Sequence, residues 1–192
     1  MKKSLFLVTL LSTIVFIISF AGKCAYSILP IGQGSTNNNL RIFVTAGTYN
    51  GNLGGVSGAD NKCANATNNP YDGAVFRALI MGDGRSTGSA DWVLKPNTKY
   101  YRMDKTTLIG ETNAGKTFSF PLSNSISTVG SSPWTGMWTD WTEGAPNICG
   151  NWYDGSNAIS GNSGTATNSD VTMLLSSVSP CNILLPLYCV EQ

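Results

Sequence analysis

Histidine is absent from all 192 residues, and charged residues make up only 12% of the chain. Without an imidazole the protein cannot form a Ser-His-Asp or Cys-His nucleophilic site, nor a zinc site with histidine ligands. Catalytic chemistry is left with carboxylates, Ser-Lys pairs or metals bound through oxygen. The net charge is only +1 and no basic face is evident, so no nucleic-acid binding is predicted.

The N-terminus has the layout of a secretory signal peptide. Lys2 and Lys3 precede an apolar run over residues 5–20, and small residues surround a predicted cleavage point after Ala21. The run is slightly short for a membrane span, which needs about 20 apolar residues, so cleavage is favoured over an uncleaved anchor. We predict a signal peptide (1–21), a flexible N-terminal tail (22–39) and a folded domain (40–192). This domain is expected to be secreted or periplasmic, with no membrane span after cleavage.

Five cysteines in an exported chain predict disulfide bonds, because the compartments outside the cytoplasm are oxidising. Cys24 lies in the predicted tail, and its state is left open. The other four lie in the predicted domain, where they allow three pairings that the cysteine positions alone do not distinguish. These four are Cys63, Cys149, Cys181 and Cys189.

Residues 110–117, GETNAGKT, fit the phosphate-binding pattern G-x-x-x-x-G-K-[ST]. Such a loop needs a helix after it, because the phosphates bind backbone N–H groups at the helix N-terminus. The residues after Thr117, FSFPL, instead alternate apolar and polar side chains and contain Pro121, which is typical of a strand. Asn113 and Gly115 suit a hairpin turn. We therefore predict a β-hairpin and no nucleotide binding.

One early helix is predicted over residues 57–67, because Ala59, Cys63 and Ala66 fall on one helical face. Short strands dominate the rest, and from Pro133 onward the chain is expected to be mostly loop. These elements predict an α+β domain. The predicted strands cover residues 41–47, 73–81, 99–103, 106–110, 118–122 and 183–192, with a second short helix within 86–94.

A series of short motifs resembles endostatin. Gly58-Ala59-Asp60-x-x-Cys63 leads into a segment with Gly73 and Phe76-Arg77-Ala78, followed by WTG (134–136), CGNW (149–152) and the closing LYCVEQ (187–192). The chain also resembles a bacterial family of exported endostatin-like domains. The resemblance covers about residues 41–192. It implies the endostatin branch of the C-type lectin-like fold, with disulfides Cys63–Cys189 and Cys149–Cys181.

Lectin-like domains often bind sugar through calcium, with a Glu-Pro-Asn tripeptide and a later Trp-Asn-Asp. Glu143, Asn147 and Asp154 offer oxygen ligands of the kind that calcium prefers. However, two residues interrupt the first motif and Tyr153 replaces the amide of the second. No cofactor or metal site is therefore predicted, with calcium kept as an alternative.

Four tryptophans fall within residues 134–152. Trp134 and Trp152 are expected in the core, whereas Trp138 and Trp141 belong to a polar run and are either core residues or exposed contacts for a partner. The predicted ligand-binding residues are Trp138, Asp140, Trp141, Glu143, Asn147, Asn151 and Asp154.

The densest basic stretch is KPNTKYYRMDK, residues 95–105. Its four basic side chains could meet an anionic polysaccharide, with Tyr100 or Tyr101 beside them. The simpler interpretation is a solvated strand and turn. The four basic residues are Lys95, Lys99, Arg102 and Lys105.

Together these observations predict an exported, non-enzymatic binding module whose partner is a glycan or an extracellular protein. One alternative is a carboxylate-dependent glycan hydrolase. Asp140 and Glu143 would serve it if their carboxyl groups lay about 5 Å or about 6.5–9.5 Å apart. The other alternative is a purely structural or interaction domain of the cell envelope.

Overall fold

The computed structural model describes residues 39–192. The predicted signal peptide (1–21), nearly all of the predicted tail (22–39) and Cys24 lie outside the described residues. The helices are α1 (Gly55–Ala64) and the single turn α2 (Cys149–Trp152), with a 3-10 turn at Val171–Met173. The strands are β1 (Asn39–Val44), β2 (Phe76–Ala78), β3 (Lys99–Tyr101), β4 (Leu108–Glu111), β5 (Ser160–Ser163), β6 (Ser177–Pro180) and β7 (Tyr188–Glu191). The fold is α+β, as predicted.

A five-stranded sheet, in the order β2-β7-β1-β3-β4, forms the centre of the domain. Strand β1 pairs antiparallel with β7 over residues 42–44 and parallel with β3 over residues 39–41. The predicted terminal strand therefore lies inside the sheet beside the first one. Strands β5 and β6 form a separate antiparallel pair.

The sheet separates two hydrophobic clusters. Alternating residues of β1 point to opposite faces, so Ile42 joins one cluster and Phe43 the other. Helix α1 packs on the Phe43 face, where the Cys63–Cys189 disulfide ties it to β7. The second disulfide, Cys149–Cys181, lies in the same cluster. Both bridges have the pairing that the endostatin resemblance implies.

A charged network links α1 to the outer edge of β2. Asp60 accepts hydrogen bonds from the Ala78 N–H (2.9 Å) and from Arg77 Nε (2.9 Å). Arg85, only 1% exposed, donates to Asp60, to Asp91 and to the Ala78 carbonyl. The motifs around Asp60 and Arg77 thus meet in one set of hydrogen bonds, which leaves the backbone of Ala78 satisfied at the sheet edge.

Two local predictions are wrong. Residues 86–94 form turns rather than a helix, because Asp91 bonds to the network and Trp92 enters the core. Residues 118–122 form only one bridge, Thr112 with Phe118, and Phe120 instead stacks on Trp141. The region after Pro133 is mostly loop, as predicted, although it also contains α2, β5 and β6. The Ser-Gly-Asn-Ser sequence of β5 has little β-propensity and pairs because of its surroundings.

Within residues 39–192, no helix combines the length and hydropathy needed to cross a membrane.

Candidate functional site

The predicted binding residues near Trp138 belong to a tight turn between Met137 and Glu143, which form a backbone bridge. The Trp138 N–H donates to the Thr142 carbonyl at 2.9 Å. The Trp138 side chain is 36% exposed, whereas Trp141 in the same turn is 8% exposed. Only one of the two tryptophans is therefore presented to a ligand.

Trp141 is a core residue, which corrects its assignment to a binding surface. Its indole stacks on Phe120 with ring centroids 5.9 Å apart and meets Trp92 edge-on at 6.4 Å. Its Nε1–H donates to the Phe118 carbonyl at 3.1 Å. The indole thus attaches the turn between Met137 and Glu143 to the hydrophobic cluster that contains Tyr100.

Trp134 and Trp152 lie fully in the core, as predicted. Their ring centroids are 5.9 Å apart. Each indole N–H has a carbonyl acceptor, that of Tyr49 for Trp134 and that of Met81 for Trp152. Both side chains therefore serve packing beneath the irregular half of the domain.

The two predicted aspartates use their carboxylates to hold their own turns. Hydrogen bonds from the hydroxyl and the N–H of Thr142 lower the pKa of Asp140. A hydrogen bond of 2.7 Å from the Ser156 N–H lowers the pKa of Asp154. In both aspartates the oxygen that accepts these hydrogen bonds is Oδ1.

Of the remaining predicted residues, Asn151 and Asn147 make hydrogen bonds within the fold, whereas Glu143 makes no ion pair among residues 39–192. Asn151 accepts a hydrogen bond of 2.9 Å from the Asp83 N–H through its side-chain oxygen. Asn147 contributes backbone groups, and its carbonyl accepts from the Asn162 N–H at 2.9 Å. Within residues 39–192 the Glu143 carboxylate has no ion pair, and no three acidic or cysteine side chains cluster as metal ligands.

Asn162 is a structural residue that sequence reasoning missed. It is fully buried, and its carbonyl accepts hydrogen bonds from the N–H groups of Thr135 and Gly136. Its side-chain amide donates to the Met137 carbonyl at 3.0 Å. Strand β5 thus carries the residue that joins the Trp138 turn to the Asn147 loop.

The GETNAGKT stretch is a hairpin turn, as predicted. The Asn113 N–H donates to the Thr117 carbonyl at 2.9 Å, and the Lys116 N–H donates to the Asn113 carbonyl at 3.0 Å. No helix follows, and the Lys116 carbonyl accepts from Trp92 Nε1.

The basic stretch does not gather into one cationic site. Arg102 donates to the carbonyl and hydroxyl of Ser125, and Lys105 lies 3.6 Å from an Asp72 carboxylate oxygen. Lys99 is exposed on β3. These arrangements fit the simpler interpretation, a solvated strand and turn.

A groove of about 600 Å³ lies at the C-terminal end of β1. It arises because β3 pairs with β1 only as far as Arg41, so the far half of β1 faces loops on that side. A smaller cavity of about 280 Å³ shares Val44 and Ser127 with it. The groove, which we call the β1 groove, is lined by Val44, Thr45, Ala46, Thr48, Asn68, Ser127, Val129, Ser131, Ser132, Leu185 and Pro186.

The walls of the β1 groove are fixed by hydrogen bonds. The Asn68 amide pairs with the backbone of β1, donating to the Val44 carbonyl (2.8 Å) and accepting from the Ala46 N–H (3.0 Å). Thr45 Oγ1 donates to the Gly47 carbonyl and accepts from the Leu187 N–H. These bonds use the polar groups of Asn68 and Thr45 and hold the groove open in one shape.

Three hydroxyl groups of the β1 groove remain available to a ligand. Within residues 39–192, the side chains of Thr48, Ser131 and Ser132 make no hydrogen bond. Val129 adds an apolar side chain that is 73% exposed. The only sequence signal for this site is the uncharged run STVGSS (127–132), which carries no recognisable motif.

A comparison with curated proteins finds no match. Residues 46–169 match a family described as protein of unknown function (DUF1554). The matched range begins in the β1 groove and contains α1, the Asp60 network and the Trp138 turn. Because the match spans more than half of the 192 residues, the chain belongs to this family.

Proposed function

We propose that this chain is an exported, non-enzymatic binding domain of the C-type lectin-like fold, and that it holds an uncharged glycan in the β1 groove. The observation that carries the proposal is the composition of the groove. Among residues 39–192, the side chains that line this cavity of about 600 Å³ are all uncharged, with free hydroxyls beside apolar walls. Ligand sites in proteins usually have volumes of about 300–1,000 Å³.

The lectin-like assignment draws support from the two disulfides and the buried tryptophans. The bridges Cys63–Cys189 and Cys149–Cys181 have the pairing that the resemblance implies. Trp134 fills the core under the loop-rich half, as that fold requires.

The chemistry of the β1 groove suits a neutral sugar better than a charged one. Sugar hydroxyls both donate and accept hydrogen bonds, as do the hydroxyls of Thr48, Ser131 and Ser132. Val44 and Leu185 provide apolar surface for the C–H groups of a sugar ring. Among residues 39–192 no carboxylate lines the groove, so the glycan binding that we propose does not involve calcium.

A hydrolase is the weaker interpretation. The general acid of a glycosidase needs a raised pKa, and hydrogen bonds from Thr142 lower that of Asp140. Asp140 and Glu143 also lie outside the lining of the β1 groove.

An array of neutral glycans, probed with calcium and with a chelator, tests the proposal. We expect binding that survives the chelator and no turnover of the bound glycan. Thr48→Trp should fill the groove and abolish binding, whereas Thr106→Trp, on an exposed loop outside the groove lining, should retain it.

Trp138→Ala distinguishes the two candidate surfaces. If the β1 groove holds the glycan, this variant binds like the unmodified protein. Loss of binding in Trp138→Ala but not in Thr48→Trp would move the site to the Trp138 turn. Absence of binding to any neutral glycan would leave a structural or protein-binding role and contradict the proposal.

A further inference from the structure

The structure covers both edges of the five-stranded sheet. At β2, Asp60 and Arg85 satisfy the N–H and carbonyl of Ala78. At β4, the Ser123 N–H donates to the Ile109 carbonyl at 2.9 Å, and the Asn124 amide donates to the Leu108 carbonyl at 2.9 Å. Such coverage prevents unpaired strand edges from joining other chains.

Strand β6 differs from these covered edges. It pairs with β5 on one side, where Val178 lies opposite Asn162. The backbone N–H and carbonyl of Asn162 bond to Asn147 and to Thr135, on the side of β5 away from β6. In an antiparallel ladder, residues opposite each other direct their backbone groups alike, either both inward or both outward. The N–H and carbonyl of Val178 therefore point away from β5.

Within residues 39–192, no hydrogen bond satisfies these outward groups of Val178. The Val178 side chain is 48% exposed. Nearby in the chain, Ile183 and Leu184 are 42% and 60% exposed, in the turn that begins when the Ile183 N–H donates to the Pro180 carbonyl. Val178 thus combines an outward donor and acceptor with an exposed apolar side chain.

We propose that β6 is a dimerisation edge, where a second copy of this chain pairs its own β6 antiparallel about a two-fold axis at Val178. In that register Val178 of each copy donates its N–H to the Val178 carbonyl of the other. The two β5–β6 pairs become one four-stranded sheet. The two valine side chains then face each other on the same side, a favourable pair for β-branched residues.

A second copy fits this edge because the region is uncharged. No Asp, Glu, Lys or Arg occurs from Val171 to Val190. Two copies related by a two-fold axis bring identical residues together, so a charged side chain here would face the same charge on the second copy. The adjacent Pro180 ends the strand and limits pairing to a short segment. The dimer is therefore expected to be weak, with a dissociation constant on the order of 10 µM to 1 mM.

Sedimentation equilibrium over that concentration range tests the proposal. All proteins should carry Cys24→Ser, so that no intermolecular disulfide contributes. Val178→Pro removes the outward N–H, which β5 does not use, and proline is tolerated at a strand edge facing solvent. We expect at least a tenfold weaker dimer for Val178→Pro and a change within about threefold for Val178→Thr, which keeps the backbone groups and the β-branched shape.

If the Val178→Pro variant does not fold, Val178→Lys provides a second test of dimerisation through β6. It retains the N–H but places two ammonium groups together at the two-fold axis, so the dimer should be lost at low salt and partly recovered at high salt. In the unmodified protein, exchange of the Val178 amide hydrogen should slow as concentration rises. A protein that is monomeric throughout the range, or a dimer that Val178→Pro and Val178→Lys leave unchanged, overturns the proposal.

Discussion

The carboxylate of Asp60 on helix α1 accepts a hydrogen bond of 2.9 Å from the backbone N–H of Ala78 on strand β2. The same carboxylate neutralises the buried guanidinium of Arg85. Asp60 therefore satisfies a backbone N–H at the edge of β2, holds α1 against the sheet and neutralises the buried charge of Arg85.

Replacement of Asp60 should destabilise the domain strongly. Asp60→Ala leaves Arg85 buried with fewer acceptors, and breaking a buried ion pair typically costs about 3–5 kcal/mol. We expect a loss of about 3 kcal/mol in the free energy of unfolding, measured by urea denaturation. Asp104→Ala is the control, because that carboxylate only accepts hydrogen bonds from its own exposed turn, and its effect should be much smaller. Equal losses in the two variants would contradict this account.

The two tryptophans of the Trp138 turn should respond differently to truncation. Trp141→Ala removes a buried indole and should lower the free energy of unfolding by about 3–5 kcal/mol. Trp138→Ala removes a more exposed side chain and should cost about 1 kcal/mol or less. Chemical denaturation of both variants, followed by far-UV circular dichroism, measures the difference. A loss for Trp138→Ala as large as that for Trp141→Ala would show that both are core residues.

The two disulfides should contribute unequally to stability. In the chain-entropy model the contribution grows with the length of the closed loop. Cys63–Cys189 spans 126 residues and Cys149–Cys181 spans 32, which corresponds to about 5 and about 4 kcal/mol. The double variant Cys63→Ala/Cys189→Ala should therefore unfold at lower denaturant than Cys149→Ala/Cys181→Ala. Non-reducing peptide mapping of the purified protein should recover only these two intramolecular pairs among the four cysteines.

Stability should fall in alkali because two tyrosines are buried. Burial raises the pKa of Tyr100 from 10.0 to about 12 and also raises the pKa of Tyr188. Their unfolded forms release protons first, so the stabilisation is complete below pH 10 and is lost as the pH rises through about 12 for Tyr100. Tyr100→Phe should decline less steeply than the unmodified protein between pH 10 and 12. Urea midpoints across this range provide the measurement, and identical slopes would contradict the assignment.

Local sequence patterns predicted the helix and the terminal strand, because the formation of these elements depends mainly on the residues within them. The helical face of Ala59 and Cys63 placed α1 within two or three residues of its observed bounds, and the closing LYCVEQ contains β7. The charged network joins the motifs around Asp60 and Arg77 in the folded domain. The pairing of the cysteines came from the resemblance to endostatin, since spacing left three possibilities open.

The features that the sequence alone did not predict depend on contacts between residues that are distant in the chain. The burial of Trp141 depends on Trp92 and Phe120, which are distant in the chain. The β1 groove joins segments near Val44, Val129 and Leu185, each of which is unremarkable alone. Strand β5 forms from a sequence with little preference for extended structure, because Asn162 bonds to segments on both sides of the Trp138 turn.

The antiparallel pairing of β1 with β7 also determines how the domain can be presented on a surface. With Ile42 opposite Val190, Asn39 and the C-terminal Gln192 lie at the same end of the sheet. The β1 groove begins at Val44, roughly 16 Å further along the strand at about 3.3 Å per residue. A tether attached at either end of the domain would therefore leave the groove facing outward. Immobilisation through Gln192 should accordingly preserve ligand access on a sensor chip or a bead.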